Sequence, residues 1–118
     1  MIPDRIRQIY NVQNAAVAAV WRPQTHTLAF AVFGDTGGNL DEASVRLHQD
    51  LGGSPLVKRS GALRALRNIN DIVIVAVFPA IGTRPRLDAA GWRSEIVREG
   101  QAALEHLGGL QRLERCAP

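Results

Sequence analysis

The longest uninterrupted apolar run covers residues 72–78, and five of its seven side chains are β-branched. Asn70-Asp71 precedes this run and Pro79 follows it. A short, sharply bounded and β-branched apolar run is typical of a strand that is buried on both faces. The pattern therefore predicts a strand over residues 70–79, and we expect it to form the centre of the sheet.

Two shorter apolar segments, residues 15–21 and 27–33, predict two strands. The connector between them is short and contains Pro23, which favours a hairpin. The second segment alternates in side-chain size, with Leu28, Phe30 and Val32 on one face and Ala29 and Ala31 on the other. A face of small side chains lets a helix pack close to the sheet.

A glycine-rich break at residues 34–38 separates this hairpin from a predicted helix. Asn39 as N-cap with Glu42 three residues later has the capping-box arrangement. The apolar stripe of this helix consists of Leu40, Ala43, Leu47 and Leu51. Gly52-Gly53 is expected to end it.

Two more helices are predicted at the ends of the chain. Residues 3–13 place Pro3 in a first helical turn and Ile2, Ile6, Ile9 and Tyr10 on one face. Asp88 is expected to cap a helix over about residues 89–107 that Gly108-Gly109 closes. The predicted buried stripe of this second helix is Trp92, Ile96, Gly100, Ala103 and Leu107.

The segment between residues 55 and 69 allows two interpretations. Residues 55–59 predict a short strand, and Ser60 could then cap a helix over 61–68. The spacing of Leu63 and Leu66 favours that helix. In the alternative, residues 62–69 form a strand that is joined to 72–78 as a hairpin through Asn70-Asp71.

With the helical interpretation, the element order is α-β-β-α-β-α-β-α in one α/β domain over residues 1–118. Strand–helix–strand crossovers are right-handed and join parallel strands in nearly all proteins. We therefore expect a three-layer α-β-α domain with a mixed sheet of four or five strands, the first antiparallel and the next three parallel. The strand alternative gives an antiparallel sheet that resembles those of profilin or roadblock domains.

The helical order of elements resembles the topology of the cytidine deaminase fold. That resemblance implies a zinc site with H-x-E or C-x-E at one helix start and P-C-x-x-C at the next. The corresponding positions here read Leu40-Asp41-Glu42 and Ser60-Gly61-Ala62-Leu63-Arg64, so only Glu42 matches. With one cysteine, three scattered histidines and no ligand motif, the sequence predicts no metal and no cofactor.

The net charge of +3 is unevenly distributed. Residues 51–87 carry six basic side chains and a single acid, Asp71. Ligands of open α/β sheets bind at the carboxyl ends of parallel strands. The predicted topology gathers three loops there, which gives the candidate ligand-binding residues Asp35, Thr36, Arg59, Ser60, Thr83, Arg84 and Arg86. Arginine binds phosphate and carboxylate groups in bidentate geometry, so an anionic ligand is expected.

The triplet Asp35-Thr36-Gly37 resembles the active-site triplet of retroviral-type aspartic proteases, whose mechanism needs two carboxylates across a dimer axis. Gly34 replaces the usual apolar residue before it. A capped helix, which that β-rich fold would not place here, is predicted to follow. A local glycine turn is therefore the favoured interpretation.

No complete catalytic motif is visible, so the sequence leaves open whether the protein is an enzyme. The first functional expectation is a non-enzymatic module that forms a homodimer or binds a partner. The alternative is a protein or enzyme that binds an anionic small molecule, nucleotide or RNA through its arginine-rich edge. One cysteine, no signal peptide and no apolar run of about 18 residues predict a cytoplasmic protein without a membrane partner.

Overall fold

The computed structural model describes residues 1–37 and 42–118. Four α-helices lie in this part of the chain, α1 (Asp4–Tyr10), α2 (Val45–Asp50), α3 (Ala89–Leu107) and α4 (Leu110–Glu114), and a 3₁₀ helix covers Pro23–Thr25. Its strands are β1 (Ile2–Pro3), β2 (Ala16–Arg22), β3 (Thr27–Val32), β4 (Thr36–Gly37), β5 (Leu56–Arg59), β6 (Ala62–Ala65) and β7 (Ile74–Gly82). The protein is a mixed α/β domain with several sheets. Its radius of gyration of 14.2 Å is close to the roughly 13.5 Å expected for a compact chain of this length.

The largest sheet has three strands in the order β3-β2-β7, and both pairings are antiparallel. The predicted hairpin of residues 15–33 is confirmed, with Val17 opposite Val32 and Arg22 opposite Thr27. The predicted centre of the sheet is wrong. β2 occupies that place and all its residues are buried, whereas β7 forms an edge and every residue from 74 to 79 is only partly buried.

Side-chain size explains why β2 lies in the middle of the sheet. Core residues cover both of its faces, and its alanines let them approach closely. On one face, Ala19 and Trp21 belong to a core cluster with Leu104 of α3 and Leu113 of α4. On the other, Val20 and Ala29 pack with Leu51, which directly follows α2.

β7 also continues beyond the proline that was expected to end it. Its register with β2 jumps between Val17, which faces Phe78, and Ala16, which faces Gly82. The intervening residues 79–81 bulge out of the ladder. A proline has no N–H to donate to the ladder. It is tolerated in an edge strand at such a bulge, because that hydrogen bond is not needed there.

The predicted helix over residues 61–68 is a strand. β6 pairs antiparallel with β5, with Leu56 opposite Ala65 and Arg59 opposite Ala62. The two-residue loop Ser60-Gly61 has positive φ values of 51° and 78°. Two successive residues with positive φ form the turn whose twist suits a tight hairpin, and this local geometry outweighs the helical spacing of Leu63 and Leu66.

The predictions for α2 and α3 differ in accuracy. α2 begins at Val45, and its cap is Ser44, whose Oγ accepts a hydrogen bond from Leu47 N at 3.1 Å. Glu42 and Ala43 are not helical, and Asn39 and Leu40 lie outside the described residues. α3 has the predicted bounds and the predicted Asp88 cap.

The buried stripe of α3 is confirmed only in part. Gly100 is buried, and a side chain there would collide with the ring of Phe30, so glycine permits the close approach of α3 to β3. Leu104 lies in the core. Leu107, which was assigned to the stripe, is 42% exposed at the end of the helix.

Neither predicted topology describes the sheets completely. The helix that the deaminase resemblance requires after β5 is absent from the described residues, because β6 stands in its place. The strand alternative correctly makes this segment a strand. However, β6 pairs with β5 in a separate two-stranded sheet, and the described strands contain no continuous five-stranded sheet.

Candidate functional site

The carboxyl ends of β3 and β7 lie at the same end of the three-stranded sheet, because both strands run antiparallel to β2 between them. Asp35 and Thr36 follow β3, and Thr83 and Arg84 follow β7. The structure therefore brings two of the three predicted loops to one end of the sheet, although β3 and β7 are not neighbours.

Thr83 joins the end of β7 to the start of β2 and to α3. It is buried, and its N and Oγ1 both donate to the carbonyl of Ala15, at 3.0 and 3.2 Å. Its Oγ1 also accepts a hydrogen bond from Trp92 Nε1 at 2.9 Å. Ala15 N in turn donates to Phe33 O at 2.6 Å. Since these polar groups are satisfied internally, Thr83 acts as a structural link in this structure.

A shallow depression of about 330 Å³ lies at this end of the sheet. Its lining consists of Asn14, Ala15, Val32, Phe33, Gly34, Pro85 and Trp92. Arg84 is exposed next to the lining residue Pro85, and none of the salt bridges in the described ranges involves it. Arg86 instead donates to Gly91 O at 2.8 Å and to Glu95 at 3.2 Å, so it is already engaged with α3.

Asp35 and Thr36 are used locally. The Asp35 carboxylate accepts a hydrogen bond from Thr36 N at 2.7 Å. The backbone carbonyl of Asp35 accepts one from Ile2 N at 3.3 Å. Thr36 belongs to β4, which pairs in parallel with β1. The polar groups of the Asp35-Thr36-Gly37 triplet are therefore used locally, but Thr36-Gly37 forms a short strand in place of the predicted glycine turn.

Arg59 and Ser60 lie in a different place from the other predicted ligand-binding residues. They sit at the turn of the β5–β6 hairpin, which belongs to a separate sheet. Lys58, Arg59 and Arg64 are all exposed on this hairpin, and no salt bridge within residues 1–37 and 42–118 engages any of them. Two groups of candidate residues therefore replace the single predicted site.

The outer edge of β7 is a feature that the sequence interpretation missed. In the described parts of the chain, no second strand pairs with β7, and residues 72–82 make no hydrogen bonds outside the β2 ladder. This edge is apolar, and Ile72 just before it is 52% exposed. An open apolar edge is a template for pairing with another strand. Because the sequence interpretation placed this strand at the centre of the sheet, it did not predict an edge there.

Arg22 is a second feature that the sequence interpretation missed, and its role is structural. Its guanidinium donates to both carboxylate oxygens of Asp71, at 2.8 and 2.7 Å, and to the carbonyls of Leu51 and Gly52 at 2.9 and 3.0 Å. These bonds tie the end of β2 to the end of α2 and to the approach of β7.

Each member of this pair shifts the titration of the other. Hydrogen bonding to Arg22 lowers the pKa of Asp71 despite partial burial, and the bond to Asp71 raises the pKa of Arg22. The amide of Gln24, oriented with its nitrogen toward Asp71, donates to both carboxylate oxygens at 2.8 and 3.0 Å. Asp71 is therefore held as a carboxylate.

Among the described residues, no group of three or more His, Cys, Asp or Glu side chains could hold a metal ion. No helix in this part of the chain is long and apolar enough to cross a membrane. Comparison of the chain with protein-family models and with curated proteins gives no match.

Proposed function

We propose that this protein is a non-enzymatic module that forms a homodimer by antiparallel pairing of β7 with β7 of a second copy. The observation that carries this proposal is the unpaired, apolar outer edge of β7. Neither β7 nor the opposite edge strand, β3, has an exposed large apolar side chain, but Ile72, two residues before β7, is 52% exposed, whereas no such residue lies within two positions of β3. The β7 edge is therefore the better template.

A twofold axis through Ala76 suits this strand. In that register Val75 of one copy faces Val77 of the other, and Ile74 faces Phe78. Ile72 and Ala80 are the two exposed apolar positions at either end of the partly buried run, and Ile72 then lies beside the bulge that contains Ala80 of the other copy. The same patch serves both copies, as the commonest oligomer symmetry requires. Pairing would place the two three-stranded sheets side by side as one sheet of six strands.

Pro79 and the bulge at residues 79–81 limit the regular pairing to about five residues on each copy. Strands of this length bury less than the roughly 800 Å² on each partner that a stable interface of standard size buries. We therefore expect a weak dimer with a Kd of about 1–100 µM, which corresponds to about 5–8 kcal/mol of association free energy.

Light scattering and sedimentation velocity over about 1 µM to 1 mM protein test this proposal. The wild type should change from monomer to dimer in this range. Ile72→Lys places a charge at the pairing edge, so we expect it to weaken the dimer at least about tenfold. Leu107→Lys, at a side chain that is 42% exposed at the end of α3, is the matched control and should leave the dimer unchanged.

A monomeric wild type at 1 mM would contradict the proposal. Equal dimerisation of wild type and Ile72→Lys would show that the copies associate through another surface. Because both substitutions lie at exposed positions, their unfolding midpoints should match the wild type, and this measurement separates loss of pairing from loss of folding.

A second candidate function is the binding of a small anion by Arg84, beside the depression at the ends of β3 and β7. The exposure of Arg84 next to a concave surface favours it. Trp92 lines the depression and is a built-in fluorescent reporter. Titration with inorganic pyrophosphate should change the emission of the wild type and not that of Arg84→Ala, and an unchanged wild-type spectrum up to about 10 mM would remove this candidate.

Two broader interpretations accompany these proposals. The core clusters on both faces of the three-stranded sheet support a three-layer α-β-α arrangement, with α3 and α4 on one face and α2 on the other. A cytoplasmic location stays an expectation, and the single cysteine, Cys116, supports it because it has no partner in the chain for a disulfide.

A further inference from the structure

We infer that the β5–β6 hairpin binds the phosphodiester backbone of a nucleic acid through Arg59 and Arg64 on one face, while Lys58 on the opposite face adds to its positive charge. This inference is independent of the proposed dimer, since it uses a different sheet. The hairpin belongs to the separate two-stranded sheet, and its outer half is exposed on both faces. It can therefore approach a ligand without any change in the three-stranded sheet.

Charge is the first argument for a polyanionic ligand. Residues 51–70 contain four basic side chains and no acid. The nearest acids in sequence are already engaged, since Asp50 is bonded to Arg46 and Arg93, and Asp71 is bonded to Arg22. None of the salt bridges that the described residues form compensates the three cations of the outer hairpin.

The register of the hairpin supplies the second argument. Arg59 is opposite Ala62 and Arg64 is opposite Val57, so the two arginines lie on the same face in a diagonal relationship. Diagonal side chains on adjacent strands are about 7–8 Å apart. Phosphates recur along one nucleic-acid strand with an axial rise of about 3.4 Å per residue, so the backbone offers closely spaced anions. Two long arginine side chains on one face can therefore contact the same strand.

The small side chain of Ala62 favours close contact of this face with a backbone. It stands between the turn and Arg64, and it leaves the guanidinium groups as the longest groups on the face. Guanidinium forms paired hydrogen bonds with phosphate oxygens. The outer hairpin has no aromatic side chain on which a base could stack, so we expect binding that is strongly salt-dependent and insensitive to sequence.

Leu63, which is 59% exposed and faces outward beside Lys58, raises the competing case of an anionic lipid surface. Lipid binding would use Leu63 together with Lys58 on the opposite face of the hairpin from the two arginines. The face with the two arginines carries more positive charge than the face with Lys58, and this difference favours the nucleic acid.

Fluorescence anisotropy with a labelled 20-nucleotide oligouridine and a labelled 20-base-pair DNA duplex tests the inference. At about 20–200 mM salt, the wild-type association constant should fall with log–log slopes of about −1.4 for the single strand and about −1.8 for the duplex, as two phosphate contacts require. The triple variant Lys58→Ala, Arg59→Ala, Arg64→Ala should bind at least about tenfold more weakly at low salt. Its slope should lie close to zero.

A second triple variant, Arg5→Ala, Arg112→Ala, Arg115→Ala, removes the same net charge from exposed positions on α1 and in the C-terminal segment. It should keep both the affinity and the slope, and both triple variants should unfold cooperatively like the wild type. Equal weakening by the two triple variants would overturn the inference, as would undetectable binding of both nucleic acids at 20 mM salt. Hairpin-dependent binding of phosphatidylserine vesicles or polyglutamate without binding of nucleic acid would also overturn it.

Discussion

Replacement of Asp71 by Asn removes the negative charge from the link between β2, α2 and β7. Arg22 then keeps its bonds to the carbonyls of Leu51 and Gly52 and loses the bidentate contact with the carboxylate. The side chains of Arg22 and Asp71 are 11% and 24% exposed, respectively. The pair therefore lies between a surface ion pair and a fully buried one.

This intermediate burial sets the expected magnitude. Exposed ion pairs contribute about 0–1 kcal/mol, whereas the loss of one partner from a buried pair costs about 3–5 kcal/mol. We expect Asp71→Asn to lower the free energy of unfolding by about 2 kcal/mol. For a chain of this length, that loss corresponds to a decrease in Tm of about 8 °C.

Urea unfolding followed by tryptophan fluorescence measures this difference. Asp50→Asn is the matched control, because Asp50 is likewise paired with arginine and its side chain is similarly exposed, at 25%. Its two partners, Arg46 and Arg93, are much more exposed than Arg22, at 59% and 48%. The control should cost less than about 1 kcal/mol. A loss below 0.5 kcal/mol for Asp71→Asn, or equal losses for both variants, would refute the assigned role of the Arg22–Asp71 pair.

The pH dependence of stability gives an independent check of the same pair. The pKa of Asp71 is lower in the folded protein than its ordinary value of 3.8. Its contribution to stability is therefore fully present above the unfolded pKa and is lost as the pH falls through the folded pKa. The difference in stability between wild type and Asp71→Asn should be constant from about pH 5 to 7 and should shrink below about pH 4.

Three further substitutions test other parts of the fold by urea unfolding. Gly100→Ala should destabilise the protein by about 1–2 kcal/mol, because overpacking against Phe30 outweighs the gain in helix propensity, and a stabilised variant would contradict the close packing of α3. Thr83→Val should cost about 1–2 kcal/mol by leaving Trp92 Nε1 without its acceptor, and no loss would show that this hydrogen bond is unimportant. Ser60→Asn should stabilise the protein by about 0.5 kcal/mol, because asparagine suits the positive φ of 51° at this turn, and a destabilised variant would contradict the turn geometry.

The sequence predicts the elements with strong local signals. The hairpin of β2 and β3 follows from two apolar segments around a short connector, and α3 follows from the Asp88 cap and the glycines after Leu107. These features depend on neighbouring residues, so periodicity and capping chemistry are sufficient to place them.

The position of β7 could not be predicted in the same way. An apolar run shows that a strand has helices or other cover on its faces, but it does not show which strands lie beside it. The alanine-rich β2 is central because core residues cover both of its faces. Bulky side chains on β7 extend over the core from the edge of the sheet, and the same composition would suit a central strand.

The candidate sites show the same distinction. β3 and β7 end at the same end of the sheet because both strands run antiparallel to β2, whereas Arg59 joins them only in a topology with the incorrect helix over residues 61–68. The Arg22–Asp71 pair joins residues that are 49 positions apart, so no local sequence pattern predicts it. Long-range pairing is the part of this structure that the sequence pattern does not contain.

Residue-resolved hydrogen exchange of the β7 amides tests the proposed dimer most directly. At about 1 mM protein, the outward-facing amides of residues 74–78 should be protected, and at about 10 µM they should exchange rapidly, while the amides bonded to β2 stay protected at both concentrations. Ile72→Lys should show the low-concentration pattern throughout. Outward-facing amides that exchange equally fast at both concentrations would contradict pairing through β7.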